Sequence, residues 1–255
     1  MPILSLAIQK GGSGKTTSAI NLAAALQQMG KRVLLVDLDP QANLTEAMGV
    51  REEVNPSIYH LLKQQAFGNA PPLEDIIRPC GALSLVPASL DLANAEFELV
   101  SVFGRESLLK QLLEGKAATY DWVLIDCPPS VGMLTVNALT ASDSVLMPLT
   151  AEYLPMQGVK SFLRMFHMVQ KQLNPKINLM GLVLTRFDAR KNLHQEIRGL
   201  LAEKYGDLLL PVHIRTNVAL AQAQRAGVDI FQFDRTCNGA LDYMYLAQEV
   251  LKRNT

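Results

Sequence analysis

The stretch that decides the fold of this 255-residue chain reads Lys10-Gly11-Gly12-Ser13-Gly14-Lys15-Thr16-Thr17. It follows the apolar residues 3–9, which have the composition of a buried strand, and leads into residues 16–29, which have the apolar spacing of a helix. Glycines allow backbone N–H groups to turn inward around phosphate oxygens, and the start of a helix adds the positive end of its dipole. The order of strand, glycine-rich loop and helix therefore predicts a phosphate-binding loop rather than an incidental glycine-rich turn.

Outward from this loop, short apolar runs alternate with segments of helical period. The predicted strands are residues 3–9, 32–39, 83–87, 122–126, 144–149, 179–185 and 208–214. The predicted helices are residues 16–29, 108–114, 132–141, 157–173, 193–205 and 239–253. Such alternation is typical of βαβ units. We therefore predict a three-layer α/β fold of the P-loop NTPase type, with a mostly parallel, twisted sheet of about seven or eight strands and helices on both faces.

The chain is predicted to form a single domain over residues 1–255. It contains no internal repeat, no low-complexity tract and no linker rich in Pro, Gly and Ser. Residues 51–101 are the least regular part, because five prolines interrupt short helical patterns such as residues 58–65. We expect this part to be a peripheral elaboration.

The composition excludes several classes of protein. With 49% hydrophobic residues, 16 glycines and three cysteines, the chain is neither disordered, collagen-like nor a disulfide scaffold. Cys80, Cys127 and Cys237 form no Cys-x-x-Cys pair, which argues against a zinc site. No apolar run approaches about 18 residues and no signal peptide is recognisable, so we expect a cytoplasmic protein without a membrane-spanning helix.

The net charge of zero hides an uneven distribution. Residues 1–150 contain 10 basic and 15 acidic residues, whereas residues 151–255 contain 14 basic and 9 acidic residues. A basic excess is the usual footprint of nucleic-acid binding. The C-terminal part therefore keeps nucleic acid among the candidate partners.

The phosphate loop has two lysines. Lys15 supplies a point charge for phosphates at the start of the helix, and the Thr16 hydroxyl suits Mg²⁺. The general G-x-x-x-x-G-K-T spacing places Gly where this chain has Gln9, and Lys10 is an additional lysine inside the loop. Because Lys10 is not the lysine at the start of the helix, its charge is available in principle to a second nucleotide.

This loop resembles the deviant Walker A motif of the ParA/MinD family of ATPases. The resemblance continues in Asp37-Leu38-Asp39-Pro40-Gln41, in Asp126-Cys127-Pro128-Pro129-Ser130, and in the blocks at residues 184–190 and 217–220, so it covers nearly the whole chain. Within the family the chain is most similar to the ParA/Soj-type partition ATPases of the short kind, which lack an N-terminal DNA-binding extension.

The resemblance implies ATP and Mg²⁺ as cofactors and assigns roles to single residues. The implied nucleotide contacts are Lys10, Gly11, Gly12, Ser13, Gly14, Lys15, Thr16, Thr17, Arg186 and Asn217. The implied metal-site residues are Thr16, Asp37 and Asp126, and the implied catalytic residues are Lys10, Lys15 and Asp39. Asp39 would orient the attacking water and Asp37 would support the metal end, although spacing alone does not rank these two carboxylates. For the base contacts, an ordinary surface arginine remains the alternative for Arg186.

The resemblance also implies an ATP-dependent sandwich dimer, in which each Lys10 reaches the phosphates of the other chain. Such dimers bind DNA without sequence preference, and the candidate contacts here are Arg190, Lys191, Arg198, Arg215 and Arg225. One arginine position of the family's DNA-binding block holds Ala219 instead. A solvated basic face remains the alternative interpretation of these residues.

The implied function is slow ATP hydrolysis, stimulated by a ParB-like or adaptor protein, that segregates or positions a plasmid, a chromosome or a protein assembly on the nucleoid. The alternative is a MinD-like switch that acts on a membrane or a protein partner without DNA. Residues 241–255 are apolar around much of the predicted helix, and only Lys252 and Arg253 follow, which favours a packed terminal helix and no membrane partner.

Overall fold

The computed structural model describes residues 1–51, 54–115, 119–151 and 155–254, and the side chains of residues 155–157 lie outside the description. The strands are β1 (Ile3–Leu6), β2 (Val33–Asp37), β3 (Arg78–Cys80), β4 (Leu83–Val86), β5 (Trp122–Asp126), β6 (Ser144–Thr150), β7 (Asn178–Phe187) and β8 (Leu209–Arg215). The helices are α1 (Lys15–Gln28), α2 (Asn43–Ala47), α3 (Ile58–Gln65), α4 (Leu92–Glu98), α5 (Leu108–Leu113), α6 (Met133–Ala141), α7 (Pro155–Gln172), α8 (Asn192–Tyr205), α9 (Val218–Ala226), α10 (Ile230–Phe233) and α11 (Asn238–Arg253).

The strands form one eight-stranded sheet in the order β3-β4-β2-β5-β1-β6-β7-β8. All neighbouring strands are parallel except β3 and β4, which form an antiparallel pair at one edge. The predicted α/β class and mostly parallel sheet are confirmed. The sequence pattern missed β3, because a three-residue strand with Pro79 at its centre has no apolar run. Proline has no N–H to donate to a sheet, which suits an edge strand such as β3.

Helices cover both faces of the sheet, which explains why the strands are apolar on both sides. In β5, Val123 and Ile125 belong to the core on one face, whereas Trp122 and Leu124 belong to the core on the other. The first core is completed by buried side chains of α3 to α8, and the second by those of α1, α2 and α9 to α11. The three layers therefore follow from strands that bury alternate residues on opposite faces.

The irregular part of the chain supplies β3 and β4, the outermost strands at one edge of the sheet, and its apolar side chains join the core. Its leucines at positions 61, 62, 85 and 92 are buried, and the Ile58 N–H donates to the Pro87 carbonyl at 2.9 Å. The segment is thus peripheral in the sheet yet packed, because the prolines interrupt its periodicity without removing its apolar side chains.

The sheet register brings the predicted functional segments together at one edge. Asp126 at the end of β5 is in register with Leu6 of β1 on one side and with Asp37 of β2 on the other. The phosphate loop follows β1, and the loops after β7 and β8 leave the same carboxyl edge. In open parallel sheets this edge is where ligands bind.

Candidate functional site

A cavity of about 1060 Å³ opens at the carboxyl edge of the sheet. Its lining includes residues 11–17 of the phosphate loop, Asp39 and the loops that carry Arg186 and Asn217. Segments from both ends of the chain, from Gly11 to Tyr243, therefore line one cavity. Its size is that of a site for a small molecule or nucleotide.

The phosphate loop has the backbone geometry that its glycines permit. Gly12 and Gly14 have φ values of 69° and 87°, in the left-handed region that favours glycine, and α1 begins at the next residue, Lys15. The Lys15 side chain is buried, and its Nζ donates to the Lys10 carbonyl at 3.2 Å. Burial lowers the pKa of Lys15, while the nearby carboxylate of Asp126 opposes that shift. The loop is thus folded around a buried lysine at the start of a helix.

Thr16 and Asp126 are joined by a short hydrogen bond at the phosphate loop. The Thr16 hydroxyl donates to Asp126 Oδ2 at 2.6 Å, and Asp126 Oδ1 is buried without a hydrogen-bond partner in the part of the chain that the structure describes. Burial raises the pKa of Asp126 well above its ordinary value, and the Asp37 carboxylate adds to that shift. A cation beside this carboxylate would stabilise its charged form.

These donors fit Mg²⁺. It prefers oxygen ligands and is usually bound through one or two carboxylates, several waters and the phosphates of a substrate. Within the described ranges, no group of three or more His, Cys, Asp or Glu side chains has the geometry of a metal site. The hydroxyl of Thr16 and the unpartnered oxygen of Asp126 supply oxygen donors of this kind beside the phosphate loop.

Asp37 has a set of contacts that the sequence did not predict. Its Oδ1 accepts the Asp39 N–H at 3.1 Å, and its Oδ2 accepts both the N–H and the hydroxyl of Thr45, at 2.8 and 2.7 Å. Burial raises the pKa of Asp37 to about 6. The carboxylate therefore holds the loop between β2 and α2, and its expected support of the metal stays a prediction.

Thr45 is a residue that sequence reasoning missed. Besides donating to Asp37, its hydroxyl accepts the Ala88 N–H at 3.0 Å, which links α2 to the end of β4. An Asp that ends a strand shortly before a short helix is the only signal for it in the sequence. Asp39, carried by the same loop, is buried in the cavity wall, and its Oδ1 accepts the Gln41 N–H at 3.0 Å.

The Lys10 side chain contacts a residue of the same chain in this structure. Its Nζ donates to the hydroxyl of Thr150 at 3.0 Å, at the end of β6. Lys10 is not among the residues that line the cavity. The predicted reach of this lysine to a second chain remains a prediction.

The two predicted base contacts, Arg186 and Asn217, both line the cavity. Arg186 is exposed and has a left-handed φ of 51°, and its carbonyl accepts the Thr216 hydroxyl at 3.0 Å. Asn217 caps α9, because its Oδ1 accepts the Ala219 N–H at 2.9 Å. The structure brings both residues to the cavity, and their contact with a base stays a prediction.

The five predicted DNA contacts fall into two groups. Arg190 and Lys191 are exposed in the loop before α8, where Arg190 is paired with Asp188 at 2.9 Å, and Arg198 is exposed within α8. Burial lowers the pKa of His213 on β8, and the charges of Arg198 and Arg215 act in the same direction. Arg198 thus lies near β8, the edge strand of the sheet.

Arg215 and Arg225 instead line the cavity. The Arg215 side chain donates to both oxygens of buried Asp242, at 2.6 to 3.0 Å, and its charge is neutralised there. The backbone carbonyl of Arg225 accepts Arg51 Nη2 at 2.8 Å. The pairing of Arg215 with Asp242 argues against its expected contact with DNA, because the pair would have to be broken first.

No helix in the described ranges is long and apolar enough to span a bilayer. The cysteines at positions 80, 127 and 237 are all free thiols.

Comparison with known proteins gives close relatives over nearly the whole chain. A family model described as an AAA domain matches residues 1–179. The chain is 41% identical to the sporulation initiation inhibitor protein Soj of Bacillus subtilis, with 97% of each chain covered. It is 43% identical to the chromosome-partitioning ATPase Soj of Thermus thermophilus, covering 98% of this chain and 95% of the relative.

One solved structure is also similar to this chain over nearly its whole length. The crystal structure described as cobyrinic acid a,c-diamide synthase of Mycobacterium smegmatis, with a bound ATP analogue and magnesium, has a TM-score of 0.84 and 35% identity. The match covers 99% of this chain and 95% of that one.

Proposed function

Because the chain belongs to the ParA/Soj-type partition ATPases, we propose that it binds ATP with Mg²⁺ in the cavity of the phosphate loop and hydrolyses it there. The observation that carries this proposal is the contact between Thr16 and Asp126, which leaves one buried carboxylate oxygen available beside the phosphate loop. The solved relative that holds an ATP analogue and magnesium supports the same ligands.

The residues of the site have separate roles in phosphoryl transfer to water. The backbone N–H groups of residues 11–17 and the ammonium of Lys15 hold the β- and γ-phosphates in a fixed position. Asp39, fixed by its contact with the Gln41 N–H, orients a water for attack. Bound Mg²⁺ would be held by Thr16 and Asp126 and would neutralise negative charge on the phosphates. Positioning and charge neutralisation account for most of the catalysis in this reaction.

ATP is proposed to join two copies of the chain face to face. In that arrangement Lys10 leaves the Thr150 hydroxyl and its ammonium contacts the phosphates bound by the other copy, as an arginine finger does in other NTPases. The interface is isologous, so each copy gives one lysine and receives one. Bound ATP would thus be required for a stable dimer.

The dimer is proposed to bind DNA without sequence preference through Arg190, Lys191 and Arg198. Contacts of this kind rest on phosphate charge, are weak in a single copy and gain strength when two copies act together. A ParB-like or adaptor protein would stimulate the slow hydrolysis and release the dimer from the nucleoid. The cycle would position a plasmid, a chromosome or a protein assembly.

The MinD-like alternative, a switch on a membrane, has less support in the structure. Tyr243, Leu246 and Val250 of α11 are buried in the core against α1 and β8, so the apolar face of this helix is already used. A membrane-binding helix needs that face for lipid.

The proposed function is tested by measuring DNA binding with Mg²⁺ and either ATP or ADP. We expect an ATP-dependent shift of non-specific duplex DNA that weakens steeply between about 50 and 200 mM salt. Liposome pelleting serves as the opposing assay. Binding to anionic vesicles with no shift of DNA would reject the DNA proposal in favour of the membrane switch.

A further inference from the structure

The phosphate loop is tied to β7 by a side chain that the proposed function does not use. The Thr185 hydroxyl lies near the end of β7 and donates to the Ser13 carbonyl at 2.8 Å. The Leu149 carbonyl of the adjacent strand is farther from the same hydroxyl, at 3.3 Å. Thr185 is only 3% exposed, so water cannot replace this contact readily.

The loop and β7 also approach each other closely at Gly14. A Cβ at this left-handed position would lie 3.4 Å from Thr185 Oγ1 and 3.5 Å from its Cβ and Cγ2. Thr185 therefore donates a hydrogen bond to the Ser13 carbonyl and also lies beside Gly14, the next residue along the loop. The hydrogen bond acts on the peptide that joins these two residues.

The orientation of that peptide decides where its N–H group points. In a planar trans peptide, the carbonyl and the N–H point in opposite directions. Because the Ser13 carbonyl accepts the Thr185 hydroxyl, the Gly14 N–H of the same peptide points away from that hydroxyl. A phosphate loop functions through N–H groups that point at the ligand.

The strand register extends this arrangement to the other end of the loop. Thr185 pairs with Thr150 of β6, and Thr150 accepts Lys10 Nζ at 3.0 Å. Two threonines on neighbouring strands thus contact the beginning and the middle of the phosphate loop. The residue after Thr185 is Arg186, whose carbonyl is held by Thr216, so β7 connects the loop to the predicted base contacts.

We propose that Thr185 is a positioning residue, which acts through the Ser13 carbonyl to direct the Gly14 N–H toward the phosphates of a bound nucleotide. The proposal rests on the proposed function in that it takes ATP as the ligand of the cavity. It adds a residue to the site that lies 172 positions from its partner in the sequence.

The test compares Thr185→Val and Thr185→Ser with the wild type, by calorimetric binding of Mg-ATP and Mg-ADP and by steady-state hydrolysis. Valine keeps the shape of the side chain and loses the hydroxyl, whereas serine keeps the hydroxyl. We expect about tenfold weaker binding of both nucleotides and a higher KM for Thr185→Val, which corresponds to the loss of about one hydrogen bond. Thr185→Ser is expected to restore binding to within about threefold of the wild type.

A matched control separates positioning from stability. Thr140 is another buried threonine, whose hydroxyl donates to the Val136 carbonyl inside α6, far from the loop in the chain. Thr140→Val should lower the melting temperature as Thr185→Val does and leave nucleotide affinity unchanged. If Thr185→Val does not fold, Thr185→Ser and Thr185→Ala form the comparison, since they differ by the hydroxyl alone.

The outcomes distinguish this inference from the proposed function. Wild-type binding of Mg-ATP that persists unchanged in Thr185→Val would overturn the positioning role and leave the ATPase assignment intact. An equal loss of affinity in Thr140→Val would also overturn it, because the effect would then follow stability. A wild-type chain that binds neither nucleotide would overturn both.

Discussion

The Thr16 hydroxyl donates to Asp126 Oδ2 at 2.6 Å, across 110 positions of sequence, and joins the start of α1 to the end of β5. This contact places a hydroxyl and a carboxylate at the same point of the phosphate loop, with the second carboxylate oxygen buried and unused. The first prediction follows from it.

Replacing Thr16 by alanine should reduce ATP hydrolysis about 10- to 100-fold, because a ligand of the proposed Mg²⁺ and a partner of Asp126 are both lost. Thr16→Ser keeps the hydroxyl and should retain most of the activity. The measurement is phosphate release over a Mg²⁺ titration. Removal of the metal with a chelator should abolish turnover in the wild type, and turnover that survives chelation would contradict the magnesium assignment.

Replacing Asp39 by alanine should separate binding from hydrolysis. If Asp39 orients the attacking water, its loss should lower kcat about 100- to 10,000-fold and leave ATP affinity within a few-fold of the wild type. The variant should then accumulate as a dimer on DNA, measured by light scattering and gel shift. Asp121→Asn is the control, since Asp121 pairs with Arg32 at the surface, and normal turnover in Asp39→Ala would reject the role.

Replacing Lys10 by alanine should prevent dimer formation with ATP, because the proposed charge on the other chain's phosphates is lost. The mass measured by light scattering with Mg-ATP should stay that of the monomer. Lys110→Ala, at an exposed position of α5, should still form the dimer. A Lys10→Ala protein that is as dimeric as the wild type would remove Lys10 from the interface.

Reversing the charge at Lys191 and Arg198 should weaken DNA binding in a salt-dependent way. Each lost phosphate contact reduces the slope of log K against log salt by about 1. Lys171→Glu reverses an exposed charge near the end of α7, on the helix that precedes β7, and should leave the slope unchanged. Equal effects of both changes would indicate that overall charge, and no defined surface, governs the binding.

Replacing Arg215 by glutamine should affect stability rather than DNA binding. The change leaves buried Asp242 with fewer partners, and an unpaired carboxylate of this kind costs about 1–3 kcal/mol when its partner is half exposed. Thermal and urea unfolding measure this cost. If the folded variant binds DNA more weakly and its stability is unchanged, Arg215 contacts DNA after all.

The sequence predicted the parts of this molecule that depend on local order. Strand, loop and helix are adjacent around Lys15, so the phosphate loop and the parallel sheet could be inferred and the fold is confirmed. The order of the strands was not predicted. Asp37 and Asp126 lie in register because β2 and β5 are neighbours in the sheet.

The contacts that the sequence did not reveal depend on which side chains meet across long separations. Thr45 and Thr185 are ordinary threonines in their own segments, and only the packed sheet brings them to Asp37 and Ser13. Arg215 lies in the C-terminal part of the sequence, where basic residues are in excess, yet the carboxylate of Asp242 in α11 neutralises its charge. Charge counts describe segments, whereas availability to a partner depends on the tertiary neighbour.

The left-handed glycines and the contact of Thr185 with Ser13 also bear on the thermodynamics of nucleotide capture. A loop whose peptides are already oriented requires little ordering when the ligand arrives, so the entropy lost on binding should come mainly from the nucleotide. Preorganisation of this kind favours fast association and makes ATP and ADP equal at the β-phosphate. Discrimination between them would then be left to the γ-phosphate and to the groups proposed to meet it, Asp39 within the chain and Lys10 from a second copy.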